Sequence, residues 1–443
     1  MFPVSDWRED WALKVCTADE AVRMLAPDQP ILLGSGAAEP AKLVEALVAA
    51  APRFERAQLF HILTLGPAPY VKPELAKHFR HTAFFIGANV RAAVQQGRAD
   101  FMPIFLSEIP RLMRGGRLPI DAALVQVSPP DSHGYVSLGV SVDVVRAAVD
   151  TARLVIAEVN PRMPRTAGDS FVHVSRLARL VPVDAPLPQL KGEPGSDADR
   201  QIGRNVASLV PDGATIQVGI GRIPNAVLAS LRDKHDLGVH TEMLSDGVME
   251  LEQAGVITGR KKTFLPGKMV TSFVMGTEKL YRWVNDHPAI EMRPSEFTND
   301  PFVIARNDGM ISINTALAVD LTGQVAADTL NGRLYSGIGG QVDFVRGASR
   351  AKDGKAIIAL PATAKEGTVS RIQSTFESGA AVVTSRGDVH YVVTEFGVAD
   401  LWGKTVRERA EALIAIAHPD FRSGLRAEAR AQRYLFDPPE EKR

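Results

Sequence analysis

Thr215-Ile216-Gln217-Val218-Gly219-Ile220-Gly221, followed by Pro224, Val227, Leu228 and Leu231, reads as a buried strand, a glycine turn and a helix. Proline suits the first helical turn, because its missing N–H has no intrahelical partner there. A looser copy comes earlier. Ile31-Leu32-Leu33 runs into Gly34-Ser35-Gly36, and Pro40 opens a helix with Leu43, Val44 and Leu47 on one face. The copies differ by one residue and point to two related α/β domains. Outward from them, Leu154–Val159 and Ala356–Leu360 are short, branched runs that read as buried strands. Thr17-Ala18-Asp19-Glu20 has capping-box spacing ahead of Ala21, Val22 and Leu25. Strands alternating with helices in this way imply an α/β protein with mainly parallel sheets.

The chain has 443 residues. That suggests two or three domains of roughly 150–200 residues each. Val183–Asp199 contains Pro186, Pro188, Gly192, Pro194, Gly195 and Ser196, a composition that suits a crossing between domains. It divides the chain into 1–185 and 186–443; the alternative is a long surface loop inside one domain. Lys plus Arg number 51 and so do Asp plus Glu, so no bulk charge favours nucleic acid or an anionic membrane. One cysteine, Cys16, excludes a disulfide within the chain and a Cys-based zinc site. The start MFPVSDWREDW is not the pattern of a signal peptide, and no apolar run reaches the ~18–20 residues of a membrane span. A cytoplasmic protein is expected.

Both Gly-x-Gly turns sit between a strand and a helix, where backbone N–H groups suit an anion. A dinucleotide fingerprint needs a third glycine three residues on, and those positions hold Glu39 and Pro224. The glycines therefore serve either an anion or a tight turn. Ser336-Gly337-Ile338-Gly339-Gly340-Gln341-Val342-Asp343-Phe344 is denser in glycine. Such a loop brings backbone amides close to a ligand without Cβ clashes and can cradle an oxyanion. The apolar residues after it favour a shaped loop over a flexible hairpin tip. In His240-Thr241-Glu242-Met243-Leu244-Ser245-Asp246-Gly247, Glu242 follows a strand and is a candidate nucleophile or general base. His240 and Glu242 alone make a poor metal site.

Several separated blocks carry a resemblance over nearly the whole chain: Gln217–Gly221 with Pro224, residues 240–247, Thr298-Asn299-Asp300-Pro301, residues 336–344, Thr394–Ala399 and Ile416–Arg422. In their order and spacing the chain resembles the family I coenzyme A transferases, the acetyl-CoA hydrolase/transferase group, and within it the 4-hydroxybutyrate CoA-transferase branch. The resemblance implies two open α/β domains of CoA-transferase-like (NagB/RpiA-like) topology with the active site between them. It implies that Glu242 is acylated, forming an acyl-glutamyl anhydride and then a glutamyl-CoA thioester. Gly339 or Gly340 is then expected to offer a backbone amide to the oxyanion, with Asn299 beside the carboxylate. Gln217, Gly219, Gly221 and Ile338 are expected to line the CoA site.

Arg222 stands where a smaller residue is expected in this branch. Lys365 is open to two readings, a contact to a CoA phosphate or a surface lysine. Arg407, Arg409 and Glu411 read as a solvated helix face, and His418–Arg422 as structural. The implied substrates are an acyl-CoA of the acetyl, butyryl or 4-hydroxybutyryl type and a small carboxylic acid. No metal or prosthetic group is expected, and the implied assembly is a homodimer. Two other functions stay open: an acyl-CoA hydrolase on the same scaffold, and a non-catalytic metabolite-binding protein.

Overall fold

The computed structural model describes residues 7–436, so the first six residues of the N-terminal stretch quoted above lie outside it. Seven strands form the first sheet: β1 Ile31–Leu33, β2 Ala57–His61, β3 Phe79–Ala83, β4 Asp100–Phe101, β5 Ala122–Val127, β6 Leu154–Val159 and β7 Arg179–Pro182. Their order is β4-β3-β2-β1-β5-β6-β7, and every pair is parallel. The second sheet is built from β8 Thr215–Val218, β9 Gly238–Val239, β10 Met310–Thr315, β11 Lys355–Ala359, β12 Tyr391–Thr394 and β13 Gly397–Asp400. Its order is β9-β8-β10-β11-β12-β13, parallel except for the closing β12–β13 pair. The helices used below are α1 Ala41–Ala49, α2 Ala88–Gln95, α3 Asp197–Ala207, α4 Arg222–Ala229, α5 Asp246–Gln253, α6 Gln341–Arg350 and α7 Val406–Ile416.

Side chains of a strand alternate between faces, and parallel strands are buried on both. That is why these strands read as continuous apolar runs. In the first sheet Leu32, Ala123 and Val125 face one core, while Ile31, Leu33, Ala122 and Leu124 face another. In the second, Ile357 and Ala359 join the same core as Leu32, while Ile358 and Leu360 pack outward with Leu413 and Ile414 of α7. The two sheets therefore share one central core, and each has an outer core of its own. Residues 183–196 cross between them without regular structure, and Ser196 then caps α3 with Asp199 in a capping box. The helix after the second Gly-x-Gly starts at Arg222, so Pro224 falls in its first turn, as expected. Among the described residues no helix is long and apolar enough to cross a membrane.

Candidate active site

Glu242 lies just past the end of β9, where the chain leaves the second sheet and turns towards the first half. His240 and Thr241 anchor it from below. His240 Nε2 donates to Thr298 O at 2.8 Å, and Thr241 Oγ1 donates to Val218 O at 3.2 Å. Burial pushes the His240 imidazole down to about 3, so it is neutral and structural. The Glu242 carbonyl accepts from the N–H groups of Ser272 and Phe273 and from Thr271 Oγ1. Strand pairing of Met243–Leu244 with Phe273–Val274 continues this register. The backbone is therefore fixed on both sides of the carboxylate.

The Glu242 side chain meets two residues from elsewhere in the second half. Asn299 Nδ2 donates to Glu242 Oε2 at 2.8 Å. Asn299 is fully buried, and its Oδ1 has no partner within the protein. Gly340 ends the glycine loop at the first turn of α6, whose N-terminal partial charge favours an anion. A Cβ at Gly340 would stand 2.0 Å from Glu242 Oε2 and 2.3 Å from Asn299 Nδ2. Desolvation, with a smaller contribution from Asp143, pushes the Glu242 carboxyl up to about 7, against the lowering effect of Asn299. Asp343, in the first turn of α6, is also pushed up to about 7, mainly by burial and partly by Glu242.

Glu242, Asn299 and Gly340 thus come together from positions far apart in sequence. Gly339 is next to them in the left-handed region, with φ at +57°, and lies over the Phe85 ring of the first half. Ile338 is half-buried in the same loop. The amide of Gln217 is engaged with β10: its Oε1 accepts from Ile313 N at 3.1 Å and from Asn314 Nδ2 at 3.2 Å. Gly219 and Gly221 have open space where a side chain would point, and Gly221 has φ at +111°. A cavity of about 940 Å³ opens beside this turn, lined by Ile220, Gly221, Arg222, Ser245 and Met275 among others. Arg222 borders this cavity, with its Nε 3.7 Å from the buried Asp199 carboxylate. Lys365 lies at the exposed tip of the hairpin joining Thr363–Ala364 to Val369–Ser370, with φ at +47°.

The first Gly-x-Gly serves the seam between the halves. Gly36 has φ at +58°, and a Cβ there would be 3.3 Å from Met275 Sδ. Ser35 Oγ donates to buried Asp143. Sequence reasoning missed Asp143 and Asp343, because an acid inside an apolar run shows its partners only once the chain is folded. Among the described residues no group of three or more His, Cys, Asp or Glu side chains is arranged to hold a metal.

Comparisons with known proteins identify the family. Residues 4–189 match the acetyl-CoA hydrolase/transferase N-terminal domain, and residues 276–429 match the acetyl-CoA hydrolase/transferase C-terminal domain. A 4-hydroxybutyrate coenzyme A transferase of Clostridium kluyveri is 50% identical over 420 residues, 95% of this chain and 98% of that one. The crystal structure of RipA from Yersinia pestis superposes with a TM-score of 0.93 at 38% identity, covering 97% of this chain and 100% of that one. A 4-hydroxybutyrate CoA-transferase from Porphyromonas gingivalis gives 0.84 at 43%, covering 96% and 100%. The chain belongs to the acetyl-CoA hydrolase/transferase family, and it is an enzyme of the CoA-transferase kind.

Proposed function

We propose that the enzyme moves CoA between short-chain acyl groups and carboxylates through covalent intermediates on Glu242. The observation supporting this reading is the Glu242 carboxylate itself, desolvated, held by Asn299 and pressed against the side-chain-free face of Gly340. The ionised carboxylate attacks the thioester carbon through Oε1. The C–S bond breaks, leaving an acyl-glutamyl anhydride and CoA thiolate. The thiolate attacks the Glu242 carboxyl carbon and expels the first acid as its carboxylate, leaving glutamyl-CoA. The acceptor carboxylate then attacks this thioester, giving a new anhydride and thiolate. Thiolate attack on the acceptor's acyl carbon releases the new acyl-CoA and restores Glu242. No net proton is needed, and the activation of the thioester is kept in every covalent form.

When the Glu242 carboxyl carbon is the one attacked, the developing oxyanion is Oε2, the atom already facing Asn299 Nδ2. One such donor contributes roughly 3–4 kcal/mol to the transition state. The N–H of Gly340, at the start of α6, is the second donor in this reading. The cavity beside Gly219–Gly221 has the volume of a small-molecule site and suits the CoA arm. On the resemblance, the enzyme is further read as a cytoplasmic homodimer with domains 1–185 and 186–443; a monomer in sedimentation at micromolar concentration would remove the dimer.

The test is to treat the protein with acetyl-CoA alone and analyse it by mass spectrometry. A CoA adduct on Glu242 is expected, absent in Glu242→Ala, together with parallel initial-rate lines when acyl-CoA and acid are both varied. Intersecting lines with no adduct would overturn the mechanism. The family also includes hydrolases. In the same assay a hydrolase depletes total CoA ester, whereas a transferase with an acceptor present conserves it.

A further inference from the structure

The mechanism above leaves two buried acids of the site without a role, Asp143 and Asp343, and Asp143 is the one whose segment reaches both reacting groups. Asp143 belongs to the first half, in Gly139-Val140-Ser141-Val142-Asp143-Val144-Val145, and is completely buried. Its carboxylate is surrounded by donors: Ser35 Oγ at 3.2 Å, Ser141 Oγ, Val144 N, and Val145 N at 3.2 Å. Burial pushes the Asp143 carboxyl up, and this all-donor shell, which suits the ionised form, acts against that push.

The backbone of the same segment reaches both groups at the reacting centre. Val142 N and Asp143 N donate to Ser272 O, and Ser272 N donates to Glu242 O. On the other side, Ser295 N donates to Asp143 O at 3.1 Å. Ser295 opens the short helix Ser295–Thr298, and Asn299 N donates back to Ser295 O at 2.9 Å. Ser141 also bridges to Phe273, and Val274 N donates to Val140 O. One short segment therefore sets the register of the carboxylate and of the amide that holds it.

We propose that Asp143 is a positioning residue of this active site: its buried carboxylate locks the segment on which Glu242 and Asn299 are both hung, and its negative charge acts on Glu242 through space. A like charge nearby keeps a carboxylate basic and therefore nucleophilic. Asp143 is one of the causes that raise the Glu242 carboxyl. The other ionisable groups around Glu242 are Asp343 from α6, whose carboxylate accepts from Ser107, and neutral His240, two residues before it and just past strand β9. Lys262 lies behind that strand, donating to Val239 O. The inference rests on Glu242 being the nucleophile.

The test is Asp143→Asn in the full-length protein, with kcat, KM and the pH profile of kcat/KM for acetyl-CoA measured against wild type. Asparagine keeps the shape and an acceptor but removes the charge. The expected result is a downward move of the acid limb, the direction in which losing a nearby like charge shifts Glu242. Turnover should fall about ten- to a hundredfold, because attack geometry loosens, with much smaller change in KM. A folded variant with lower melting temperature and lower turnover but an unmoved acid limb would mean a merely structural role, and would overturn the proposal. So would unaltered kinetics.

If Asp143→Asn does not fold, Ser141→Ala decides. It removes one donor and keeps the charge, so turnover should drop about threefold or more with the acid limb in place; normal turnover there overturns the positioning role. The CoA adduct on wild-type enzyme separates this inference from the mechanism. If the adduct is missing the mechanism fails, and if the adduct is present while both variants behave as wild type only the inference fails.

Discussion

At Gly340 the backbone dihedrals are ordinary, φ −96° and ψ 3°, so conformation alone does not demand glycine. Space does, because an added methyl would overlap the ends of Glu242 and Asn299. Both are flexible side-chain tips and can swing away, so the fold tolerates the change while the reacting groups are displaced. Gly340→Ala should therefore fold normally and lose about 10²–10³-fold in kcat, the size of a lost oxyanion donor. CoA affinity, measured by calorimetry, should change far less; a proportional loss of affinity would make this a CoA-binding loop instead. The Glu242 carboxyl at about 7 adds a pH signature. In the proposed mechanism only the ionised form attacks, so kcat/KM should rise with pH through an acid limb near 7, and a limb near 4.5 would contradict the desolvated setting. The sequence made Glu242, Asn299 and the glycine cluster visible through their blocks. It left open which glycine touches the carboxylate, because that depends on a fold-level approach between residues 242, 299 and 340. Asp143 was hidden for the same reason: its donors span residues 35 to 145, and its backbone partners lie at 272 and 295.

Among the elements, α1 shows how the sheet supplies what a helix lacks. Its N-cap is Pro40, which offers no side-chain oxygen to the first amides. Glu158 of β6 fills that place, its Oε1 accepting from Leu43 N at 2.7 Å. Glu158 is 2% exposed, and desolvation pushes its carboxyl up to about 7 despite the helix amides. A folded-state value above the unfolded one means the folded protein takes up the proton between about pH 7 and 4.5. Stability from this group is then fully present at the acid end and is lost as pH rises through 7, by about 1.4 kcal/mol per unit. Glu158→Gln keeps an acceptor and removes the titration. The variant should outlast wild type in urea at pH 8, and its advantage should shrink steadily towards pH 5; a gap independent of pH would refute the assignment. The element itself was legible, since Leu154–Val159 is the strand read from sequence, and Ala356–Leu360 is displaced by one residue to Lys355–Ala359. The two-residue strand Gly238–Val239 and the four-residue antiparallel strand Gly397–Asp400 carry too little apolar pattern to be read in advance.

For the whole molecule, the decisive feature is a seam that ties residues more than a hundred positions apart. Ile86 N donates to Ser336 O at 3.0 Å and Leu106 N to Gly339 O at 3.2 Å, so first-half backbone fixes both ends of the second-half glycine loop. Ser107 reaches Asp343 just beyond it, and Arg114–Glu296 and Arg293–Asp169 close the seam elsewhere, each at 3.0 Å. The sequence resemblance implied a site between two halves, but local pattern carries no information about which residues meet across such a distance. Arg91 of α2 is the strongest single clamp on the approach to the loop. Its Nε donates to Tyr335 O at 2.7 Å, and its guanidinium lies 3.8 Å over the Tyr335 ring. A charged hydrogen bond of this kind contributes about 1.5–3 kcal/mol, and the stacking adds about 0.5–1 kcal/mol. Arg91→Ala removes both and leaves the Ile86 and Leu106 bonds in place, so the loop should loosen without the halves separating. Hydrogen exchange should speed up at residues 334–340 by about tenfold or more. Turnover should fall about three- to tenfold, because Gly340 and Glu242 no longer hold one fixed separation. Residues of the outer core around α7 should keep their protection. Faster exchange with full turnover would show that the loop's register is irrelevant to chemistry, and unchanged exchange would show that Arg91 is no clamp at all.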